Sequence, residues 1–200
     1  MKKIVTLVLG LMLFSATLSA QSLTDLFKGA ATSIVDNLTG GKATELLLPG
    51  TWTYVSPAVR LTSSDAIAEA LGSATTASME TKLKKVYDYA GIKAGSCSFT
   101  FTTEDAFTMT IGKRSYTGKY TYDAPTHKLE LVFNTTLIKL GSMSGYAYID
   151  GDNVDLVFDC SKLFDFVVKL GAKVSALGSL TKIAENYDGM MLGFSLSRTK

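Results

Sequence analysis

The chain has 200 residues, of which 20 are basic and 18 are acidic, and its formal net charge at pH 7 is +2. This near balance argues against a nucleic-acid partner, because nucleic-acid-binding domains carry a basic patch or stripe. The length fits one domain with a substantial hydrophobic core and is too short for two ordinary domains.

The beginning of the chain has the composition of an export signal. Two lysines precede an apolar run over residues 4–14, and the small residues Ser19 and Ala20 follow it. These are the basic, apolar and cleavage regions of a signal peptide. We predict that residues 1–20 are removed, so that the mature chain loses two lysines and its charge balance becomes 18 − 18, or zero.

The mature protein is expected to be soluble, either in the periplasm or outside the cell. The apolar run has about half of the roughly 20 residues that a helix needs to cross a bilayer, so we expect no membrane span. The cysteine nearest to the predicted cleavage point is Cys97, whereas a lipid anchor would need a cysteine at the new N-terminus. We therefore expect an exported protein without a lipid anchor.

Residues 21–49 are predicted to form an amphipathic helical segment ahead of the first strand. Their apolar residues fall at three- and four-residue spacing, which is typical of a helix with one buried face, and Gly40 with Gly41 ends the helix. The apolar set is Leu23, Phe27, Ala30, Ile34 and Leu38. We expect this face to pack on the outside of the protein's own domain. Docking to an envelope protein or to a membrane surface is the alternative.

Residues 50–200 read as one barrel domain of short strands. In each strand, apolar residues alternate with Thr, Ser or charged residues, so each strand has one buried face. The first strand runs from Thr51 to about Leu61, with Pro57 marking a bulge or a bend. Seven further strands have these inward-facing sets: Cys97, Phe99 and Phe101; Phe107, Met109 and Ile111; Tyr116, Gly118, Tyr120 and Tyr122; Leu129, Leu131 and Phe133; Met143, Gly145, Ala147 and Ile149; Val154, Leu156, Phe158 and Cys160; Met190, Leu192, Phe194 and Leu196.

Two helical stretches interrupt these strands. The first runs from about Asp65 to Ala90 with an interruption near Gly72, and the second spans about residues 161–187 with a break at Gly178. The other links are short turns, which favour antiparallel neighbours. The order of segments therefore predicts a mainly β fold with some α: about eight strands in an antiparallel up-and-down barrel.

Chain direction predicts where the helical stretches lie. If each link joins neighbouring strands, successive strands alternate in direction, so the first and seventh strands run the same way and finish at the same end. The two helical stretches follow these two strands. Both helical stretches should then cover one mouth of the barrel, with Cys97 and Cys160 near it. Trp52 and Arg198 should meet at the opposite end, which we call the floor.

Cys97 and Cys160 are the only cysteines, and an exported protein with two cysteines ordinarily forms a disulfide. Both residues fall on inward faces of strands that are not neighbours in the predicted barrel. A disulfide needs Cα atoms within about 7 Å of each other. We expect buried free thiols, and a disulfide stays the alternative.

The floor residues resemble the lipocalin signature. Gly50-Thr51-Trp52 opens the first strand and Arg198 comes late in the last strand. In lipocalins an arginine in this position lies over the tryptophan and closes the floor through a cation–π contact. One feature departs from the lipocalin pattern, because the second helical stretch lies between the last two strands and lipocalins place a helix after the last one.

The chain is also similar to an exported lipocalin-like family of unknown function from anaerobic Gram-negative gut bacteria. The resemblance covers most of the chain after the signal peptide and implies a fold and export, with no assigned activity or ligand. It is carried by Pro49-Gly50-Thr51-Trp52, Ser56-Pro57-Ala58-Val59, Lys82-Leu83 before Tyr87, Phe99-Thr100-Phe101, Tyr187-Asp188-Gly189-Met190 and Leu192-Gly193-Phe194.

The sequence contains no recognisable catalytic or metal-binding pattern. His127 is the only histidine and is predicted to be a surface residue of the turn after Pro125, and one histidine with two dispersed cysteines cannot form an ordinary zinc site. The inward faces of the strands contain no pair of carboxylates of the kind that glycoside hydrolysis needs. We therefore expect no enzyme activity, no cofactor and no metal.

The barrel interior is the candidate site. Inward tyrosines have hydroxyls that need partners when buried and could orient a ligand, and Gly118 and Gly145 remove bulk from the wall and could leave a cavity. The predicted ligand-binding set is Tyr54, Phe101, Met109, Tyr116, Gly118, Tyr120, Met143, Gly145, Met190 and Leu192, and the structural floor is Gly50, Trp52 and Arg198. Six inward phenylalanines predict the opposite outcome, a filled barrel.

Two functions stay open at this point. The first is a binding protein for a small hydrophobic molecule that enters under the helical stretches, which would act as a lid. The second is a structural or interaction module of the cell envelope, whose barrel is solid and whose N-terminal helix contacts another protein. A cavity would favour the first function and a solid barrel the second.

Overall fold

Alternating apolar residues build eight antiparallel strands that close into a barrel, as seen in a computed structural model of the chain. The structure describes residues 36, 39–61, 65–134, 141–173, 175, 177–178, 180–181 and 189–199, and for residues 61 and 65–75 it describes the backbone alone.

The described elements follow one another in the predicted order. A short helix precedes the first strand, one long helix separates the first two strands, and another helix follows the seventh. They are α1 (Lys42–Leu47), β1 (Gly50–Leu61), α2 (Asp65–Ala90), β2 (Cys97–Phe101), β3 (Ala106–Ile111), β4 (Arg114–Asp123), a 3-10 turn (Ala124–Thr126), β5 (Lys128–Phe133), β6 (Ser142–Asp150), β7 (Asn153–Asp159), α3 (Cys160–Leu170) and β8 (Met190–Arg198).

Each strand pairs with the strands before and after it in the chain, and β1 pairs with β8 to close the barrel. The antiparallel up-and-down barrel predicted from the alternating pattern is thus confirmed. In β3, for example, Phe107, Met109 and Ile111 are buried and the residues between them are half exposed. Closure leaves none of the eight described strands with an unpaired edge that could template aggregation.

Both long helices belong to the hydrophobic core. The inward side chains of the strands and the apolar faces of α2 and α3 form one continuous cluster of buried residues. Full burial of one large apolar side chain contributes about 1.5–3 kcal/mol. The two helices are therefore parts of the same folding unit as the barrel.

The helices lie at the same end of the barrel, as chain direction predicts. β1 ends at Leu61, which pairs with the first residue of β8, and β7 ends at Asp159, which pairs with Met191. The guanidinium of Arg114, at the start of β4, donates hydrogen bonds to Ala90 O at 2.9 Å and to Leu170 O at 3.1 Å. It thus joins the last residues of α2 and α3, and we call these two helices the lid.

Three predicted boundaries along the helices are wrong. α2 runs without interruption through Gly72, and Gly178 is helical, whereas α3 ends at Gly171 with φ 116°. Cys160, predicted on the inward face of the seventh strand, is the first residue of α3. The cause is the Asp159 side chain, which accepts a hydrogen bond from Ser161 N at 2.9 Å and starts the helix directly after the strand.

The predicted bulge in the first strand exists but lies earlier than Pro57. The pairing of β1 with β8 shifts between Tyr54 and Ser56, so that Val55 is the extra residue and is 53 % exposed. Pro57 itself is buried and pairs with Phe194.

The predicted signal peptide and most of the predicted N-terminal helix lie outside the described residues. Of residues 21–49, the structure describes residue 36 and residues 39–49. Within the described part of the chain, α1 is short and neither lid helix is apolar enough over its length to span a membrane.

Candidate functional site

The predicted ligand-binding side chains all face the inside of the barrel. The eight of them that are not glycine are between 0 and 6 % exposed. They belong to the same buried cluster as the phenylalanines around them. A void large enough for a ligand would leave the surrounding side chains partly exposed to it, so the interior is filled around these described side chains.

Aromatic rings fill the centre. The ring of Phe194 lies 5.5 Å from that of Phe99 and 6.2 Å from that of Phe158, and the ring of Phe101 lies 5.0 Å from that of Tyr120. These centroid distances are those of directly packed aromatic pairs. The inward phenylalanines therefore pack as core, as the prediction of a filled barrel supposed.

Gly118 and Gly145 do not leave a cavity. A Cβ atom at Gly118 would lie 2.5 Å from the ring of Phe107, and one at Gly145 would lie 2.4 Å from the ring of Phe158. Each glycine pairs across the sheet with the phenylalanine that covers it. The possible open space at these two positions is not present, because the neighbouring ring and the carbonyl oxygen of Val132 or Val157 occupy the volume that a side chain would take.

The lid contributes to the interior a residue that the sequence analysis named for the family resemblance and did not place inside the barrel. Tyr87 of α2 is fully buried, its ring stacks on Phe194 at 5.0 Å, and it meets the ring of Tyr54 edge-on at 5.8 Å. Its hydroxyl donates a hydrogen bond to Gly193 O at 2.9 Å. An aromatic at helical spacing is more often ordinary core, so nothing in the pattern distinguishes Tyr87 from Leu83 or Val86.

The buried tyrosine hydroxyls differ in their partners. That of Tyr120 donates to Thr102 O at 2.7 Å. Those of Tyr54 and Tyr116, on side chains that are 3 % and 4 % exposed, have no hydrogen-bond partner among the residues that the structure describes. A buried polar group without a partner costs about 1–3 kcal/mol. Two such unpartnered hydroxyls therefore lie inside the core.

Electrostatics at the lid end disfavour negative charge. Burial raises the pKa of the Cys97 thiol to about 12. Burial also raises the pKa of Tyr54 and Tyr87 well above that of a free tyrosine, and nearby ionisable groups, Cys97 among them, add to the increase. An anion is costly in this part of the interior, which therefore suits a neutral group.

Cys97 and Cys160 are free thiols, as expected from the separation of their strands. Cys97 is buried, whereas Cys160 is half buried and its thiol donates to Met190 O at 3.2 Å. Burial, together with the carboxylate of Asp159, raises the pKa of Cys160 to about 11. Both thiols are protonated at neutral pH and are poor nucleophiles.

The floor is closed by Trp52 and Arg198. The guanidinium carbon lies 4.3 Å from the centroid of the indole, which is fully buried, and the indole Nε1 donates to Leu48 O at 2.8 Å. The guanidinium also donates to Leu47 O and to Pro49 O. The loop between α1 and β1 is thus held against the floor by two side chains.

Gly50 satisfies two requirements at the floor. Its φ of 142° favours glycine, and a Cβ there would lie 2.6 Å from Nη1 of Arg198. The Gly-x-Trp pattern therefore has a local physical cause, since a side chain at this position would push the arginine off the indole.

A polar cluster next to the floor was missed by the sequence reading. Asp36 is buried, and its carboxylate accepts hydrogen bonds from Thr44 N at 2.8 Å and Thr44 Oγ1 at 2.6 Å. Its Oδ2 lies 3.5 Å from Nδ1 of His127. The arrangement ties the chain before α1 to the turn between β4 and β5. We call these three residues the anchor.

The prediction that His127 is a surface residue is wrong. It belongs to a turn, but its side chain is only 15 % exposed and its ring stacks on Tyr148 at 4.9 Å. Tyr122 places its hydroxyl 3.1 Å from Nδ1. No sequence signal connects His127 with Asp36, because the contact spans 91 positions of the chain (127 − 36).

No cluster of His, Cys, Asp or Glu in the described part of the chain could hold a metal ion. The inward-facing residues described for the eight strands likewise include no carboxylate and no imidazole. The functional groups that face the interior are hydroxyls, thiols, thioethers and aromatic rings.

Comparison with known proteins adds the family. A family model described as a lipocalin-like domain (DUF4923) matches residues 23–198. A crystal structure of a DUF4847 family protein from Bacteroides vulgatus ATCC 8482 aligns with a TM-score of 0.37 and 15 % identity, covering 78 % of this chain and 98 % of that one. No curated protein matches. Because the family model spans most of the sequence and the barrel agrees with its description, the chain belongs to the lipocalin-like domain family DUF4923.

Proposed function

We propose that this protein is exported and binds a small hydrophobic molecule inside the barrel. The supporting observation is the pair of unpartnered hydroxyls of Tyr54 and Tyr116. A barrel that served only as a scaffold would be as stable or more stable with phenylalanine at both positions, because the cost of an unpaired buried hydroxyl would disappear. A ligand with a polar group would supply the missing partners.

The lid is the proposed entrance. The strands form a closed ladder, and Trp52 with Arg198 closes the floor. The other mouth is closed by α2 and α3, which the Arg114 guanidinium joins through two hydrogen bonds. Since the interior is filled in this conformation, binding requires α2 to withdraw at least part of its buried face.

The proposed role is binding without catalysis. Catalysis by a general acid or base needs a group that titrates near the working pH. The thiols of Cys97 and Cys160 have pKa values of about 12 and about 11, and the described inward faces offer no carboxylate or imidazole. These groups can bind and orient a neutral molecule.

The second candidate function is a structural or interaction module of the cell envelope. The observation that favours it is the filling of the interior, above all the rings of Phe107 and Phe158 over Gly118 and Gly145. In that case the barrel would present its surface, and the predicted N-terminal helix would meet a partner protein.

Native mass spectrometry distinguishes the two functions. We expect protein purified from its own cell envelope to carry an extra mass that solvent extraction removes. Protein refolded from denaturant serves as the ligand-free control. A mass equal to that of the mature polypeptide before and after extraction would reject the binding function and leave the interaction module.

A further inference from the structure

Tyr87 occupies interior volume although it belongs to the lid. Its ring lies in the barrel mouth, parallel to Phe194 within 14° and edge-on to Tyr54. The other described rings that pack on Phe194 belong to strands, so among these rings only Tyr87 leaves the interior if α2 moves. Its neighbours Leu83 and Val86 on the buried face of α2 would move with it. The space that would open first is therefore the space that the Tyr87 side chain fills.

The contacts of Tyr87 define what this space accepts. The flat face of Phe194 at 5.0 Å selects a planar ring, and Gly193 O, which accepts a hydrogen bond at 2.9 Å, selects a hydroxyl at the far end of that ring. The unpartnered hydroxyl of Tyr54 is on the neighbouring ring and offers a donor. Burial at this end disfavours anions, as the raised pKa of the Cys97 thiol indicates.

Resting on the proposed function, we propose that the ligand is a neutral planar ring compound bearing a hydroxyl group, and that it binds by replacing the side chain of Tyr87. Tyr87 then acts as an internal competitor. Its ring and hydroxyl make the contacts that the ligand makes after α2 has moved.

Competition has a measurable consequence. A ligand that must displace Tyr87 binds only the fraction of molecules in which the ring is out, and its apparent affinity falls by that fraction. Shortening Tyr87 removes the competitor and leaves a cavity shaped like the side chain of tyrosine. Small aromatic molecules enter such apolar cavities in protein cores.

The test uses p-cresol, which reproduces the tyrosine side chain, and toluene, which lacks its hydroxyl. We expect the Tyr87→Ala variant to bind p-cresol, with a melting temperature that rises with p-cresol concentration. Toluene should bind about twofold to tenfold more weakly, because it cannot donate to Gly193 O. The wild type should bind p-cresol at least about tenfold more weakly than the variant does.

Tyr89→Ala is the matched control, since Tyr89 is on the same helix and is 58 % exposed. It should behave as the wild type does. A folded Tyr87→Ala variant that binds p-cresol no better than toluene, or no better than the wild type, overturns the proposal.

A measurement on the wild type covers the case in which the Tyr87→Ala variant fails to fold. Amide hydrogen exchange over residues 79–90 of α2 should become faster in the presence of p-cresol, together with saturable binding, because the displaced ring no longer fixes the helix. Absence of saturable binding, or binding with unchanged exchange in α2, overturns the proposal.

These outcomes are separable from those of the proposed function. An extracted cargo without a hydroxylated ring would reject this ligand class and leave the binding function intact. Native protein without cargo would reject the binding function, and the p-cresol series would then report only on the cavity behind Tyr87.

Discussion

The inward tyrosines Tyr54, Tyr116 and Tyr120 differ in what their hydroxyls contact. The hydroxyl of Tyr120 donates to Thr102 O, and those of Tyr54 and Tyr116 have no partner in the described part of the chain. We predict that Tyr54→Phe and Tyr116→Phe each leave the free energy of unfolding unchanged or raise it by about 1 kcal/mol, whereas Tyr120→Phe lowers it by about 1 kcal/mol. Urea unfolding of the three variants measures the difference. Equal losses at all three positions would show that Tyr54 and Tyr116 have partners in solution.

Trp52 is the residue on which the floor depends. It is fully buried, donates a hydrogen bond to Leu48 O and lies under Arg198. We predict that Trp52→Ala lowers the free energy of unfolding by about 3–5 kcal/mol, because it leaves a large cavity and frees the guanidinium. Thermal and urea unfolding measure the effect. Val55→Ala, at the exposed bulge of the same strand, serves as the control and should change stability by less than about 0.5 kcal/mol.

At the residue scale, the sequence predicts which face of a strand a side chain is on. It does not predict which atoms that side chain contacts. Alternation places Tyr54, Phe101 and Met109 inside the barrel, because a strand turns successive side chains to opposite faces. The same alternation cannot tell that the hydroxyl of Tyr120 reaches a carbonyl or that His127 lies beside Asp36. Those contacts depend on the path of the chain in space, and no spacing in the sequence records it.

At the scale of elements, Arg114 connects the two lid helices. Its guanidinium donates to Ala90 O and Leu170 O, at the negative ends of the α2 and α3 dipoles. We predict that Arg114→Ala lowers the free energy of unfolding by about 1–3 kcal/mol. Amide exchange should become faster over residues 79–90 and 163–172 and stay unchanged in β5 and β6. Lys113→Ala, at the exposed neighbouring position, is the matched control, and equal exchange in both variants would contradict this role.

The strands could be predicted from the sequence better than the ends of the helices. Eight alternating segments with short polar links leave few arrangements other than an antiparallel barrel. Helix ends depend instead on single capping residues. The Asp159 side chain starts α3 at Cys160, and the left-handed conformation of Gly171 ends it, whereas the sequence pattern predicted the break at Gly178. One residue decides such a boundary, so a periodic pattern cannot locate it.

At the scale of the whole molecule, the barrel is closed by different means at its two ends. A cation–π pair and a short loop close the floor, and both involve residues next to the strand ends. The lid closes the other end with two helices that lie between strands, α2 after β1 and α3 directly after β7. This difference between the two ends follows from chain direction. β1 and β7 run the same way in the antiparallel barrel, so the helices that follow them lie at the same mouth. The lid is accordingly where movement costs fewest strand hydrogen bonds.

Alkaline pH should destabilise the whole protein. Burial raises the pKa of Cys97 from 9.0 to about 12 and that of Cys160 from 9.0 to about 11, and it raises the pKa of the buried Tyr87 as well. The unfolded chain releases these protons at lower pH than the folded protein does. Their contribution to stability is therefore complete below the pKa of the unfolded thiols, falls as the pH rises from about 9, and is lost above the folded values.

We predict that the urea midpoint falls steadily between about pH 8.5 and about pH 10.5. The double variant Cys97→Ala, Cys160→Ala should show a smaller fall over the same range, even if it is less stable at neutral pH, because two of the responsible groups are gone. The slope is the readout, since the loss of buried volume lowers the midpoint equally at every pH. A midpoint that does not change with pH, or parallel slopes in the wild type and the variant, would mean that the thiols are open to solvent and that the lid does not seal the barrel.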